Sequence, residues 1–299
     1  MPGHCGCALL SGGNLGRPRR CWKGDPVTHP FRFGLVAAPR GTGEQWIATA
    51  RRAAGHGFGT LLVPDGLALH APMPALAVAA TAVPSLRVCP FVLAAPLRTP
   101  RAVAWEAHSM SALTHGRFEL GLGTGRPQAA EEAAQLGMPW GSGAQRLDRV
   151  RETVAAVRAL DPDRRIPLLI AAAGPRALAL AAAEADVVTL AAPPATPRQQ
   201  VEVMADRVRQ LAGPRAAQLE LSMNVFVVGD EVPPFMAGFV ADPAALTGDT
   251  LAFLRGSPRD MADELRRRRD GLGVTYFAVG EAFADRFAPV VELLTGRVD

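Results

Sequence analysis

Short apolar runs alternate with longer amphipathic ones through nearly the whole chain, and they do so in eight successive pairs. The apolar runs read as strands at Phe31–Ala38, Thr60–Pro64, Leu86–Ala94, Arg117–Gly121, Pro167–Ala171, Asp186–Leu190, Leu219–Val228 and Gly273–Val279. The runs between them read as helices at Glu44–His56, Pro72–Val83, Pro100–Leu113, Gln145–Leu160, Pro175–Glu184, Pro197–Leu211, Pro258–Arg269 and Phe283–Leu294. Segments such as DVVTL and VTYFAV have no polar alternation, so both faces of each strand are buried, as in a parallel sheet covered by helices. Eight such units predict a closed (β/α)8 TIM barrel, of α/β class. An open doubly wound sheet would leave two edge strands, and no run is shortened or charged as an edge requires. The expected organisation is a single barrel domain over 31–299 behind an N-terminal extension, residues 1–30, that is disordered or lies upstream of the true start.

The 299 residues are 48% hydrophobic, enough for a large core without disulfides or metals. Charges interrupt every apolar stretch, so none reaches the roughly 20 residues that span a bilayer. A soluble, cytoplasmic protein is expected. The formal charge of +4 is concentrated in the extension, where Arg17, Arg19, Arg20 and Lys23 outweigh Asp25. No basic stripe with interleaved aromatics follows, which argues against a nucleic-acid partner. Cys5, Cys7 and Cys21 also fall in the extension, at a spacing that matches no common zinc pattern; no metal site is expected.

In a barrel, function sits where the strands end. Those ends are built from alanine, glycine and proline: Ala94-Ala95-Pro96, Gly121 to Gly125, Ala172-Ala173-Gly174, Ala191-Ala192-Pro193. There is no His-x-His pair and no convergent carboxylate set, so metal-assisted hydrolysis and two-carboxylate glycosidase chemistry are poorly supported. Lys23 is the only lysine, which excludes a Schiff-base aldolase. Smooth small-residue walls suit a planar ring whose own chemistry does the work. The turn Gly121-Leu122-Gly123-Thr124-Gly125 allows close backbone approach to a ligand, or simply a sharp barrel turn. Arg176, in the first turn of the helix after the fifth strand, is a candidate anion contact or an exposed surface arginine.

The stretch TPRAVAWEAHSMSALTHGRFELGLGTG, Thr99 to Gly125, resembles the luciferase-like monooxygenase family, in particular its actinobacterial deazaflavin-dependent members. GFGTLLVPD (Gly57–Asp65) and GVTYFAVGEAFADRFAPVVELLTG (Gly273–Gly296) extend the likeness over most of the body. The resemblance implies a bacterial-luciferase-like barrel with coenzyme F420 in its mouth, or FMN as the alternative. It implies a bulge behind the ring at Phe91, Val92, Leu93 and Ala94, often with a non-prolyl cis peptide. Gly123, Thr124 and Gly125 match the region beside the ring; Ala172, Ala173, Gly174 and Arg176 match a phosphate region, with Arg126, just after the glycine turn, the second candidate to hold the cofactor's anionic tail. Asp65 matches the acidic position ending the second strand. Many members place a histidine after it, where this chain has Gly66; His70, nearby in the same loop, is the candidate replacement. Arg126 stands where some members use a glutamate, which argues against a sugar-phosphate dehydrogenase. Trp140, within Met138–Gly143, and the long connection Asp230–Ser257 are expected to border the substrate pocket.

These features predict an F420H2-dependent reductase delivering hydride to an unsaturated carbon or imine of a small molecule or biosynthetic intermediate. The alternatives are an FMNH2-dependent monooxygenase and a degenerate, non-catalytic barrel subunit. A homodimer is expected from the resemblance.

Overall fold

The computed structural model describes residues 29–296 except 161, 163, 164, 235, 237–239, 241–245, 247 and 248. The expected extension lies almost wholly outside the described residues. Strands β1 (Arg32–Val36), β2 (Thr60–Val63), β3 (Arg87–Pro90), β4 (Leu93–Ala94), β5 (Leu120–Gly123), β6 (Leu168–Ala172), β7 (Val187–Leu190), β8 (Glu220–Val225) and β11 (Val274–Gly280) form one sheet. Its order is β3-β2-β1-β11-β8-β7-β6-β5-β4, and its ladders are parallel. β3 and β4 are two pieces of one barrel position. A bridge between Val88 and Phe118 closes the ring, with Glu119 N–H donating to Val88 O at 3.0 Å. The barrel read from the sequence is therefore present.

Helices α1 (Gly43–Gly55), α2 (Pro72–Ala82), α3 (Pro100–Leu113), α4 (Ala129–Gln135), α5 (Gly143–Leu160), α6 (Pro175–Glu184), α7 (Arg198–Ala212), α8 (Pro258–Leu272) and α9 (Ala284–Thr295) surround it. Their starts are chemically marked. Thr42 and Gln45 form a reciprocal capping box on α1, and Ser257 and Asp260 do so on α8. Gly57, at φ 79°, follows the end of α1 where the sequence predicted a glycine stop. No helix among the described residues is long and apolar enough to cross a membrane.

The third strand breaks at a non-prolyl cis peptide between Phe91 and Val92, within the bulge that the family resemblance implied. Two elements depart from the sequence reading. The seventh strand breaks after Val225, and β9 (Val227–Val228) leaves the barrel to pair with β10 (Phe253–Leu254). The irregular stretch after the glycine turn contains α4, too short for its period to be read from sequence.

Strand alternation divides the core. Outward residues such as Phe33, Leu61, Ile170, Val188 and Phe277 pack under the helices. Phe31, Phe33, Phe58, Phe277 and Phe287 form a chain of ring contacts there, with centroids 5.5–6.2 Å apart. Inward residues Leu62, Cys89, Leu169, Val187, Tyr276 and Ala278 fill the lumen. Charges close the lumen at the N-terminal end of the strands. Arg32 bridges Glu119 at 2.7 Å and Glu220 at 2.6 Å, and Arg87 reaches Glu119 at 2.5 Å. The Arg32 guanidinium lies 4.2 Å from the Tyr276 ring centre. Burial nonetheless raises the Glu220 carboxyl above its ordinary range, and pushes the Tyr276 phenol and Cys89 thiol up.

Candidate active site

The mouth is stitched together before it can bind anything. Asp65 leaves the end of β2 and accepts two hydrogen bonds from the Arg98 guanidinium, at 2.7 and 2.8 Å, and one from Ala94 N–H at 3.0 Å. Its side chain is 4% exposed. Burial pulls the Arg98 guanidinium down, but the Asp65 carboxylate outweighs it and holds it above the usual arginine range. Asp65, expected at the chemistry, is occupied here in fixing β2 to β4 and to the 3₁₀ turn Ala95–Leu97. His70 is likewise engaged. Its Nε2 lies 2.8 Å from Gly41 O, so that nitrogen carries the proton and donates. Its backbone N–H donates to Pro39 O, and the two bonds tie the loop after β2 to the loop after β1.

The sequence placed a histidine position at Gly66. A Cβ added there would stand 3.2 Å from Glu132 Oε1. Glu132, from α4, accepts the Leu67 N–H at 3.2 Å and fills that corner.

The glycines of the strand-four turn also have internal partners. A Cβ on Gly121 would come within 2.0 Å of Pro90 O, and one on Gly123 within 2.7 Å of Val92 Cγ2. One on Gly125, at φ 81°, would meet the Trp140 ring at 2.8 Å. These glycines make room for the Phe91–Val92 bulge and for Trp140, so close approach there is by protein groups. Trp140 packs with Ala94, Leu97, Ala129 and Ala133 and is covered by the Arg146 guanidinium, 4.4 Å from the ring centre. Leu93 and Ala94 are buried; Phe91, Val92, Thr124 and Gly125 are half-buried at the mouth, and Arg126 is exposed on its rim.

Across the mouth, Ala172 is buried at the end of β6, while Ala173, Gly174 and Arg176 are exposed. Gly174 caps α6 without a side-chain bond, which leaves the first N–H groups of that helix open at the rim. Arg176 lines a cavity of about 490 Å³ between α5 and α6, with Leu147, Arg151, Leu180 and Ala183. It sits on the outer side of the rim, so the structure does not bring it together with the residues around Val92.

Sequence reading overlooked a polar face in the lumen. Thr189 on β7 and Ser222 on β8 are register partners, 2% and 0% exposed. Neither hydroxyl has a hydrogen-bond partner among the described residues. Leaving a buried polar group unpaired costs about 1–3 kcal/mol. Asn224, two residues beyond Ser222, continues that face toward the mouth and is half-buried. The signal was available as single polar residues at inward positions of otherwise apolar strands.

This arrangement suits a flat, largely apolar ring with a heteroatom edge. The strand ends carry small residues, the charge of Asp65 is matched by Arg98, and the hydroxyls of Thr189, Ser222 and Tyr276 are buried without partners among the described residues. Among the described residues, no group of three or more His, Cys, Asp or Glu could hold a metal ion.

The family model described as luciferase-like monooxygenase matches residues 27–233, more than half of the chain. The chain belongs to that family. An F420-dependent glucose-6-phosphate dehydrogenase from Beutenbergia cavernae is 32% identical over 156 residues, covering 42% of this chain. The match spans 46% of that relative, less than half its length. An F420-dependent secondary alcohol dehydrogenase, solved with an F420–acetone adduct, superposes with a TM-score of 0.71 at 17% identity, over 89% of this chain and 99% of that one. A long-chain alkane monooxygenase superposes equally well, at 0.71 and 12% identity, over 91% and 93%. At such identities the superpositions establish the luciferase-like barrel fold and nothing finer.

Proposed function

We propose that this luciferase-like protein is an F420-dependent oxidoreductase, acting as a reductase that delivers hydride to an unsaturated carbon or imine of a small molecule. The observation that carries the reading is the mouth itself: small apolar walls over a lumen whose ion pairs lie at its far end, with its two proton-bearing candidates, Asp65 and His70, both held by the scaffold. Such a site can bind and orient a ring but supplies little acid–base chemistry of its own. When bound, the reduced deazaflavin supplies the hydride. The F420-dependent relative at 32% identity favours the deazaflavin over FMN. The sugar phosphate used by that relative is not carried over, since Arg126 stands where family members acting on such substrates place a glutamate.

In this reading Phe91, Val92, Leu93 and Ala94 back the ring, and Gly123, Thr124 and Gly125 flank it. Asp65 positions the β4 wall, and Trp140 covers the rim. The cofactor's anionic tail is held by the open N–H groups of α6 beside Ala172, Ala173 and Gly174, with Arg176 and Arg126 supplying positive charge. Removing one such charged contact, as in Arg176→Ala, weakens F420 binding roughly 10- to 100-fold, and salt then weakens the wild type more than the variant. Equal affinities would take Arg176 out of the site.

The monooxygenase reading has one specific support: a long-chain alkane monooxygenase shares this fold. Incubation with reduced F420 and with reduced FMN plus oxygen, over a panel of enones and imines, separates the two. Substrate-dependent oxidation of F420H2 without oxygen supports the reductase; oxygen-dependent turnover with FMNH2 alone replaces it. We also propose a homodimer, consistent with Trp105 and Leu113 standing 70% and 74% exposed on α3. A monomer alone in sedimentation at micromolar concentration refutes the dimer.

A further inference from the structure

Above the ion pairs that close its N-terminal end, the lumen differs from side to side. Around β4 and β5, Val92 packs over Gly121 and Gly123, and that wall offers carbon. On the facing strands, Thr189 and Ser222 point unpaired hydroxyls into the same lumen. Strand alternation fixes what surrounds them. Ser222 stands between Glu220 below and Asn224 above on the inward face of β8, and Thr189 pairs with Ser222 in register. Glu220 makes no demand on Ser222, because its oxygens are taken by Arg32 at 2.6 Å and by the Thr275 hydroxyl at 3.3 Å. Ala171, the β6 partner of Thr189, has nothing to offer its hydroxyl, and Tyr276, the β11 partner of Ser222, carries its own hydroxyl to β1, 3.0 Å from where a Cβ on Gly34 would stand.

The donor set decides the ligand chemistry. Two hydroxyls and one carboxamide are neutral, and each can both donate and accept. They carry no positive charge for a phosphate and no carboxylate or imidazole for a metal. What such a set matches is a neutral edge of alternating carbonyl and N–H groups, the imide edge shared by flavins and deazaflavins. We propose that Thr189 and Ser222, continued toward the mouth by Asn224, form a neutral hydrogen-bonding floor that receives the imide edge of the bound ring. The inference rests on the ring-binding reading above and deepens it: the floor recognises the ring whichever cofactor carries it, while the α6 rim recognises the tail.

The test uses the full chain and its variants Thr189→Val and Ser222→Ala, with Thr189→Ser as the variant that keeps the hydroxyl. Each is titrated by fluorescence with F420, with FMN and with riboflavin, which has the ring but no phosphate, and each is melted without ligand. Thr189→Val and Ser222→Ala are expected to weaken every ring ligand that the wild type binds by about tenfold. Thr189→Ser keeps the wild-type affinity. Melting temperatures stay level or rise, since the lost hydroxyls had no protein partner. If the wild type binds a ring ligand and the variants bind it equally well, the floor is refuted while the ring-binding reading stands. If affinity falls only for the phosphate-bearing ligands, the hydroxyls serve the tail, and the proposal is wrong. A fall of several degrees in melting temperature with unchanged affinity assigns them an internal structural role and also overturns it. If the wild type binds none of the three, both the floor and the reading beneath it fail.

Discussion

The Asp65 carboxylate meets the Arg98 guanidinium at two points, 2.7 and 2.8 Å apart, and takes a third hydrogen bond from Ala94 N–H. An acid so held is a strut. Asp65→Asn and Arg98→Ala are therefore expected to behave alike. Each leaves a buried partner unpaired and destabilises the fold by about 3 kcal/mol, measured by urea unfolding. Each also weakens cofactor binding by loosening the β4 wall. A proton-carrying Asp65 would instead show in Asp65→Asn as a fall in kcat and a changed pH profile that Arg98→Ala does not share.

The glycines of β5 make a second case for packing. Gly123→Ala places a methyl 2.7 Å from the Val92 side chain, which can yield. Gly121→Ala places one 2.0 Å from a backbone carbonyl, which cannot. Both are overpacked, at about 1–3 kcal/mol, with Gly121→Ala at or beyond the top of that range. Adding Val92→Ala should recover much of the Gly123→Ala loss but little of the Gly121→Ala loss, where the Val92 contact at 3.2 Å is minor beside the clash with Pro90 O. A double-mutant cycle with no coupling between 92 and 123 would contradict this packing.

Acid stability turns on Glu264. Burial alone would raise its carboxyl, but hydrogen bonds from Arg198 and Arg268 dominate and bring it from 4.5 to about 2. Arg268 is 1% exposed and depends on this partner. A carboxylate whose folded value is depressed stabilises the protein above its unfolded value. That contribution is lost as pH falls from about 4.5 to about 2. Glu264→Gln should lower the melting temperature at neutral pH, and the gap to wild type should close across that window. A gap that is constant with pH would show that the ion pair contributes nothing.

The barrel was legible because its signal is spread over eight repeated units, and the capping residues and Gly57 marked several helix ends locally. The site was less so. Asp65 and Arg98 are 33 residues apart, and nothing local in the sequence announces their pairing. The glycine turn read equally well as ligand space or as a barrel corner, and only coordinates show Val92 and Trp140 filling it. Glu132 was hidden because α4 is too short to show a period. Thr189 and Ser222 were visible as lone polar residues at inward positions, yet alternation matters only once the register of β7 against β8 is known. Arg176 was placed in the correct turn, but which side of the rim it faces is set by the packing of α5 against α6. The connection Asp230–Ser257 lies partly outside the described residues, so its expected place beside the pocket stays with the sequence reading.

The central claim is that the barrel mouth of this luciferase-like protein is a ring site tuned to a deazaflavin. Titration of the full chain with F420, followed by fluorescence quenching, and in parallel with FMN, tests it most directly. Saturable F420 binding, tighter than FMN binding, is the expected result. Tighter binding of FMN would move the protein to the monooxygenase reading, and no saturable binding of either would contradict the claim outright.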